Sequence, residues 1–268
     1  MRRIDEQGDN TFFDDLIAEY HQPFNGWDFS YLNGRRVDIH QQHLWDYTQT
    51  VTAAMKEAQS MLDMRTGGGE RLAEYLGIQP VAEVYATEGY VPNVGPARER
   101  LAPFGVTVYQ VQDDRLPLPD ASLDLIINRH GSYDASEVRR VLKPGKCFIT
   151  QQVGDQTNRR LHELLGYTPL PEHHVHPGAD DKTAWNLARA VGELEAGGWQ
   201  IREQQEEFYS TRYYDVGAIV YYLKAIPWVI PGFSVERFFD QLVEIRDLIE
   251  REGFLDVLFH QFFIVAQR

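Results

Sequence analysis

The chain has 268 residues, a formal net charge of −14, and 43% hydrophobic against 25% charged residues, which suits one α/β domain of generous size or a core with an appendage. Its acidity opposes binding to phosphate backbones and anionic lipids, so nucleic acid is not an expected partner, and one cysteine, Cys147, excludes an internal disulfide and a multi-cysteine metal site. No apolar run approaches the about 20 residues of a membrane span, and the charged segment Met1–Asn10 lacks the apolar stretch of a signal peptide, so a cytoplasmic protein with no membrane partner is expected.

Residues 11–20 have the pattern of a short amphipathic helix, 21–35 read as an aromatic, Gly-rich ordered loop, and 44–59 return to a helical pattern. The chain then alternates. Residues 60–64 form a strand, followed by a Gly-rich turn and a helix over 70–76; 81–87 is a second strand with a helix over 93–101 behind it; 106–111 is a third strand. The apolar run at 123–128 suits a strand buried on both faces. A helix over 134–142 opens with Asp134 and Glu137, spaced as in a capping box; Lys143-Pro144-Gly145 ends it, and 147–153 is a fifth strand in which Cys147 reads as a buried thiol. Repeated strand–helix units of this length imply parallel strands with right-handed crossovers.

The C-terminal part differs. A helix over 183–195 ends at Gly197-Gly198, 200–208 is a strand, helices lie near 212–226 and 235–251, and 258–267 is a final strand. The stripe Val235, Phe238, Phe239, Leu242, Ile245, Leu248 and Ile249 reads as core packing. Some 45 residues between the last two strands exceed any hairpin connection and form an insertion. The expected architecture is a doubly wound, seven-stranded, mostly parallel sheet. Its parts are an N-terminal helical and aromatic cap (1–54), an α/β core (55–209), a helical insertion that serves as a lid (210–256), and a last core strand (257–268).

Open parallel sheets bind ligands at the carboxyl ends of their strands. Three of those ends carry unusual residues. After the first comes Asp63-Met64-Arg65-Thr66-Gly67-Gly68-Gly69, where glycines let the backbone turn sharply and the following helix presents free N–H groups. After the second stands Glu88, placed to accept from both hydroxyls of a ribose. After the third come Asp113 and Asp114, carboxylates able to accept from an adenine amino group. Taken singly, each reads equally as a flexible turn or a solvated acid; together they outline a nucleoside site.

The order LDMRTGGGE, VYATEGYVPN, LPLPDASLDLIINRH and VRRVLKPGKCFITQQVG resembles class I S-adenosylmethionine (SAM)-dependent methyltransferases, and most of all a bacterial, domain 11-like subgroup with LDxGTGGGE, ATEGYxPN, NRHxSYD and a TQQVG strand. The resemblance spans roughly residues 55–155. It implies a Rossmann-like fold, SAM as cofactor and S-adenosylhomocysteine as product. It further implies that Asp63, Gly67 and Gly69 border the methionine part, Glu88 and Gly89 the ribose, Asp113 or Asp114 the adenine, and Asn128 the methyl group. One position departs: Arg65 stands where the family has Gly. Its side chain either crowds the SAM carboxylate or forms a salt bridge to it, and the preferred reading is the salt bridge.

Methyl transfer needs a nucleophile held in line with the C–S bond and a base only where that nucleophile must lose a proton. His130, just past the fourth strand, is the base candidate; an orienting or structural role is the alternative. Arg129 is placed to hold an acidic acceptor and Tyr133 to orient one, with surface and packing roles as the alternatives. Trp27 and Tyr31 in the WDFSY segment, and Tyr213 in the insertion, are candidate contacts to a flat acceptor, with packing onto the core as the alternative. His173, His174 and His176 form a Pro-rich loop whose readings are metal binding, substrate contact or plain exposure; no metal is assigned. The function expected is methyl transfer to a small molecule, with an aromatic or heterocyclic metabolite as one candidate class. An RNA-base methyltransferase is the alternative within the class, and a SAM- or nucleoside-binding protein without methyl transfer, motivated by Arg65, is the alternative outside it.

Overall fold

The structure is a computed structural model, and it describes residues 6–24, 28–39, 42–113, 115–168 and 185–268. Trp27, Asp114, His173, His174 and His176 therefore lie outside the described residues. Contacts divide the chain into two compact units: a helical one from the described residues within 1–41, 156–174 and 208–259, and an α/β one from those within 42–155, 175–207 and 260–268.

The α/β unit follows the alternation read from the sequence. In chain order it holds α2 (Tyr47–Met55), β2 (Ser60–Met64), α3 (Glu70–Ile78), β3 (Glu83–Glu88), α4 (Val91–Leu101), β4 (Thr107–Gln110), β5 (Leu123–Arg129), α5 (Ala135–Val141), β6 (Leu142–Val153) and α7 (Leu187–Ala196). α1 (Glu6–Tyr20), β1 (Arg36–Ile39), α6 (Arg159–Leu164), α8 (Val216–Ala225) and α9 (Phe239–Glu252) belong to the helical unit, and the boundary between units falls within β7 (Gln200–Tyr213) and β8 (Leu255–Gln267).

Short polar residues start four of the helices. Asp46 accepts from Gln49 N–H to open α2, Asp134 from Ser136 and Glu137 N–H to open α5, Asn186 from Arg189 N–H to open α7, and Asp215 from Ala218 N–H to open α8. Each satisfies donors that the first helical turn leaves free. The Asp134 cap is the one its spacing to Glu137 predicts.

The sheet has eight strands in the order β1-β7-β8-β6-β5-β2-β3-β4. Strands β4, β3, β2, β5 and β6 run parallel, and β8 pairs antiparallel with β6, Cys147 opposite Gln267 and Val153 opposite Gln261. The expected count of seven is corrected by β1, which adds antiparallel to β7 with Arg36 opposite Tyr213 and Ile39 opposite Ser210. It is four residues long and largely exposed, so it lacks the apolar alternation that marks a strand. β7 runs on to Tyr213 because Glu207, Thr211 and Tyr213 keep every second side chain inward, and the helix expected from residue 212 starts at Val216. β6 also begins earlier than expected. Leu142 pairs with Leu123, the register slips across Lys143-Pro144-Gly145, and Cys147 pairs with Leu125; Gly145 takes a φ of 76° in this bulge. Cys147 is half-buried rather than buried.

Two apolar layers enclose the sheet of the α/β unit. One gathers Val51, Met55, Leu72, Leu76, Ala97 and Leu101 from α2, α3 and α4 against Met61, Leu125 and Phe263; the other gathers Val138, Val141, Ala190 and Leu194 from α5 and α7 against Leu62, Ile126 and Phe148. The helical unit centres on α8, nine of whose ten residues are buried, with α9 supplying Leu242, Ile245 and Ile249. Arg35 there bridges Glu19 at 2.8 Å and Asp215 at 2.5 Å. Among the described residues no helix is long and apolar enough to cross a membrane.

Candidate active site

All five residues of β2 are buried, and the chain turns immediately beyond it. Thr66 N–H donates to Thr87 O of β3 at 2.9 Å, and Gly69 N–H closes the turn onto Thr66 O at 3.1 Å. Gly67 and Gly69 both lie in the left-handed region, with φ of 64° and 80°, which glycine enters without steric cost. Gly69 is constrained twice, because a β-carbon there would lie 2.8 Å from Leu101 of α4. Arg100 of the same helix donates to Gly68 O and pairs with Glu70 at 2.6 Å, clamping the loop from outside. The sequence reading missed Arg100, since its partner is 32 positions away.

Glu88 ends β3 with its carboxylate buried. Oε2 accepts from Gly67 N–H at 2.6 Å; Oε1 accepts from Gly89 N–H at 2.8 Å and Tyr90 N–H at 2.7 Å. The acid thus ties the Gly loop to its own turn. A carboxylate offers about four acceptor positions, so one stays open on the Gly67 side, enough for one further hydroxyl. Asp63, also buried, accepts from Thr66 Oγ1 at 2.6 Å. Burial pushes its pKa up to about 7, the Thr66 bond and the Arg129 charge opposing the rise and Glu88 adding to it.

Arg65 adopts a φ of 59°, a conformation that costs any non-glycine residue about 1 kcal/mol. Its side chain crosses the strand ends toward β3. A β-carbon on Gly131 would lie 2.7 Å from Arg65 Cβ and Cγ, and one on Gly89 would collide with Arg65 Nη1. Nη2 reaches Ser132 Oγ at 3.4 Å. Gly131 therefore makes room for the base of the Arg65 side chain and Gly89 for its guanidinium, which lies on the Glu88 side of the loop.

Asn128 is fully buried near the end of β5. Its Nδ2 donates to Met64 O at 3.4 Å, and its Oδ1 accepts from Gln152 Nε2 at 2.6 Å and Thr150 Oγ1 at 3.2 Å. The side chain fastens the ends of β2, β5 and β6 together. Arg129 lies with its guanidinium 5.7 Å from the Tyr47 ring centroid, and its buried Nε has no hydrogen-bond partner among the described residues. Tyr133 is buried against Phe148 and Trp185, and burial raises its pKa.

His130 follows β5 with a φ of 60°. Its N–H donates to Gln151 O at 2.8 Å, and its Nε2 lies 3.0 Å from Gln151 Nε2. His130 is exposed, and desolvation by the surrounding chain, with the Arg129 charge beside it, lowers its pKa. Asp113 lies exposed beyond β4 and accepts from Arg115 N–H at 3.2 Å.

Asp63, Arg65, Gly67, Gly69, Glu88, Gly89, Asn128, Arg129 and His130 thus come together on the α/β unit at the ends of β2, β3 and β5. Tyr31 and Tyr213 lie in the helical unit. Tyr31 donates to Glu19 at 3.1 Å, and Tyr213 is buried with its ring 5.9 Å from that of Tyr222. Gln151 and Gln152 were missed as individual residues, although the TQQVG strand that carries them was singled out.

No protein-family model matches the sequence, and no curated protein matches it. Solved structures do match. A candidate methyltransferase from Bacillus halodurans superimposes with a TM-score of 0.56 at 16% identity, over 83% of this chain and 98% of that one. A protein of unknown function from Deinococcus radiodurans matches with a TM-score of 0.53 at 15% identity, over 97% and 99%. A candidate sarcosine dimethylglycine methyltransferase from Galdieria sulphuraria matches with a TM-score of 0.50 at 15% identity, over 82% of each chain. At this identity the likeness is one of fold: the chain has the Rossmann-like fold seen in methyltransferases.

Proposed function

We propose that the chain binds SAM at the carboxyl ends of β2, β3 and β4 and transfers its methyl group to a small-molecule acceptor. The observation that carries this reading is the buried Glu88 carboxylate bonded to Gly67 N–H. It joins an acid and a Gly loop at adjacent ends of a parallel sheet, where a ribose and its flanking groups are held in such folds.

The residues present fit the cofactor. Glu88 has an open acceptor position for a ribose hydroxyl, Asp63 a carboxylate for the α-ammonium group, and Gly67 and Gly69 a turn with no side chain to obstruct approach. Asp113, or Asp114, would meet the adenine amino group. The cofactor supplies a methyl group made electrophilic by its sulfonium sulfur. The protein's part is to position: Asn128 fixes the spacing between the ends of β2, β5 and β6, so groups on those ends keep their separation while a ligand is held. Arg65 stands in the way. Its guanidinium against Gly89 lies on the ribose side rather than over Gly67 and Gly69, which favours obstruction over a salt bridge to the SAM carboxylate, so binding displaces it.

A small-molecule acceptor is favoured by the net charge of −14, which works against an RNA substrate. The test is calorimetry with SAM and S-adenosylhomocysteine, followed by transfer of a labelled methyl group to a metabolite panel and to RNA. Absence of binding to folded protein at millimolar cofactor refutes the reading. Transfer to RNA, weakening steeply with salt, replaces the acceptor class.

A further inference from the structure

The structure assigns His130 a different task from that of a base. We propose that it meets its ligand as a neutral hydrogen-bond donor through Nδ1–H. It thereby selects an acceptor molecule that presents a lone pair there: a carbonyl, a carboxylate or an unprotonated ring nitrogen. This rests on the methyl-transfer reading for the identity of the ligand, but the state of the imidazole follows from the protein alone.

A chain of buried polar groups within the α/β unit leads to His130. At one end is Trp45, whose indole N–H can only donate; it donates to Gln151 Oε1 at 2.9 Å. This fixes the orientation of the Gln151 amide, and Nε2 must face the other way. Nε2 donates one hydrogen to Gln261 Oε1 at 3.1 Å and directs the other at His130 Nε2 at 3.0 Å. At the far end is Glu207, which also accepts from Leu44 N–H at 3.0 Å and faces His43 Nδ1 at 2.6 Å. Burial raises its pKa, but the bonds from Gln261, Leu44 and His43 outweigh that and hold it below the usual range, so it is ionised and only accepts. Gln261 Nε2 must therefore face Glu207, which turns Gln261 Oε1 toward Gln151. A donor-only end and an acceptor-only end impose the same direction on both amides.

His130 Nε2 is consequently an acceptor, and in a neutral imidazole the proton then sits on Nδ1. Protonating Nε2 would set an N–H against the Gln151 amide hydrogens. The alternative, flipping Gln151, breaks its bonds to Trp45 and Gln261 together. Using Nδ1 as a base would require the tautomer with Nε2–H, which the same contact opposes. Arg129 next along β5 is the charged neighbour, and it too disfavours an imidazolium; Glu207 and His43 reach His130 only through two amides. Gln151 and Trp45 are positioning residues for this state, and β5 and β6 bring Gln151 to His130 through the backbone bond from His130 to Gln151.

The test is ¹⁵N NMR of the histidine rings in the ligand-free full chain, with His130 assigned by the signal lost in His130→Asn. A pyridine-type Nε2 and a protonated Nδ1 are expected across roughly pH 6 to 8. A titration midpoint near the ordinary value of about 6.5, or a protonated Nε2, overturns the inference. Gln151→Glu places a carboxylate oxygen against Nε2, and should raise the His130 midpoint by about one to three pH units and move the proton to Nε2. Should that variant fail to fold, Gln151→Met keeps the side-chain length and removes the amide that donates to Nε2, and a mixture of tautomers is expected; an unchanged tautomer in either variant refutes the relay. These readouts need neither cofactor nor acceptor. A correct tautomer with no SAM binding therefore defeats the functional reading and not this one. With an acceptor in hand, His130→Ala should raise KM by about tenfold, while His130→Asn, which keeps an N–H near that of Nδ1, restores most of it. Equal loss in both variants overturns the donor role.

Discussion

Asp63 offers the sharpest link between stability and the proposed site. Its pKa of about 7 in the fold exceeds its ordinary value of 3.8 chiefly because the carboxylate is buried. A group whose folded pKa is raised stabilises the fold fully only below its unfolded pKa, and that contribution is lost as pH rises through the folded value. The difference of about three pH units, at 1.36 kcal/mol each, is on the order of 4 kcal/mol, of which about 2 kcal/mol is lost between about pH 5.5 and 8.5. Asp63→Asn keeps an acceptor for Thr66 Oγ1 and removes the charge, at a cost of about 1 kcal/mol for an amide donor left short of a partner. Urea unfolding should therefore show the variant gaining on the parent chain by about 2 kcal/mol more at pH 8.5 than at pH 5.5. The same variant should bind SAM about 10- to 100-fold more weakly if Asp63 receives the α-ammonium group, because a hydrogen bond to a charged partner contributes about 1.5–3 kcal/mol. An identical stability difference at both pH values would refute the buried-charge argument. Undiminished affinity would refute the ligand contact.

Three further outcomes follow from the geometry. Glu88→Gln cannot satisfy all three backbone donors at once, since one carboxylate oxygen becomes an NH2 group; it should lose about 1–3 kcal/mol of stability and weaken SAM binding by calorimetry, and unchanged affinity would remove the ribose assignment. Arg65→Gly relieves the left-handed backbone and clears Gly89, so the melting temperature should hold or rise and SAM affinity should increase; a decrease would restore the salt bridge to the SAM carboxylate. Asn128→Ala strips partners from Gln152, Thr150 and Met64 O in a fully buried site, and should cost about 2–3 kcal/mol, or about 5–10 °C in melting temperature; a loss below about 0.5 kcal/mol would show that the strand ends hold their spacing without it.

The sequence by itself determined what depends on neighbours along the chain. Strand–helix alternation is local, because each element repeats its apolar residues with its own period, and it located β2 through β6 and their helices. The Gly turn was legible because left-handed backbone leaves a residue-type mark at Gly67 and Gly69. The cap at Asp134 was legible because capping links residues three apart. Glu88 was legible as a candidate because a carboxylate at the end of an apolar strand pattern stands out from its neighbours.

Tertiary structure alone decided the rest. β1 is four exposed residues that become a strand only by bonding to β7. Arg65 was visible as a departure from a pattern, but its lean toward Gly89 and Gly131 depends on space those glycines leave at the ends of other strands. The tautomer of His130 depends on Trp45 and Gln261, 106 and 110 positions from Gln151. No periodicity relates such residues; hydrogen bonds between side chains on different strands are set by which strands the sheet makes adjacent, and that order exists only once the chain has folded.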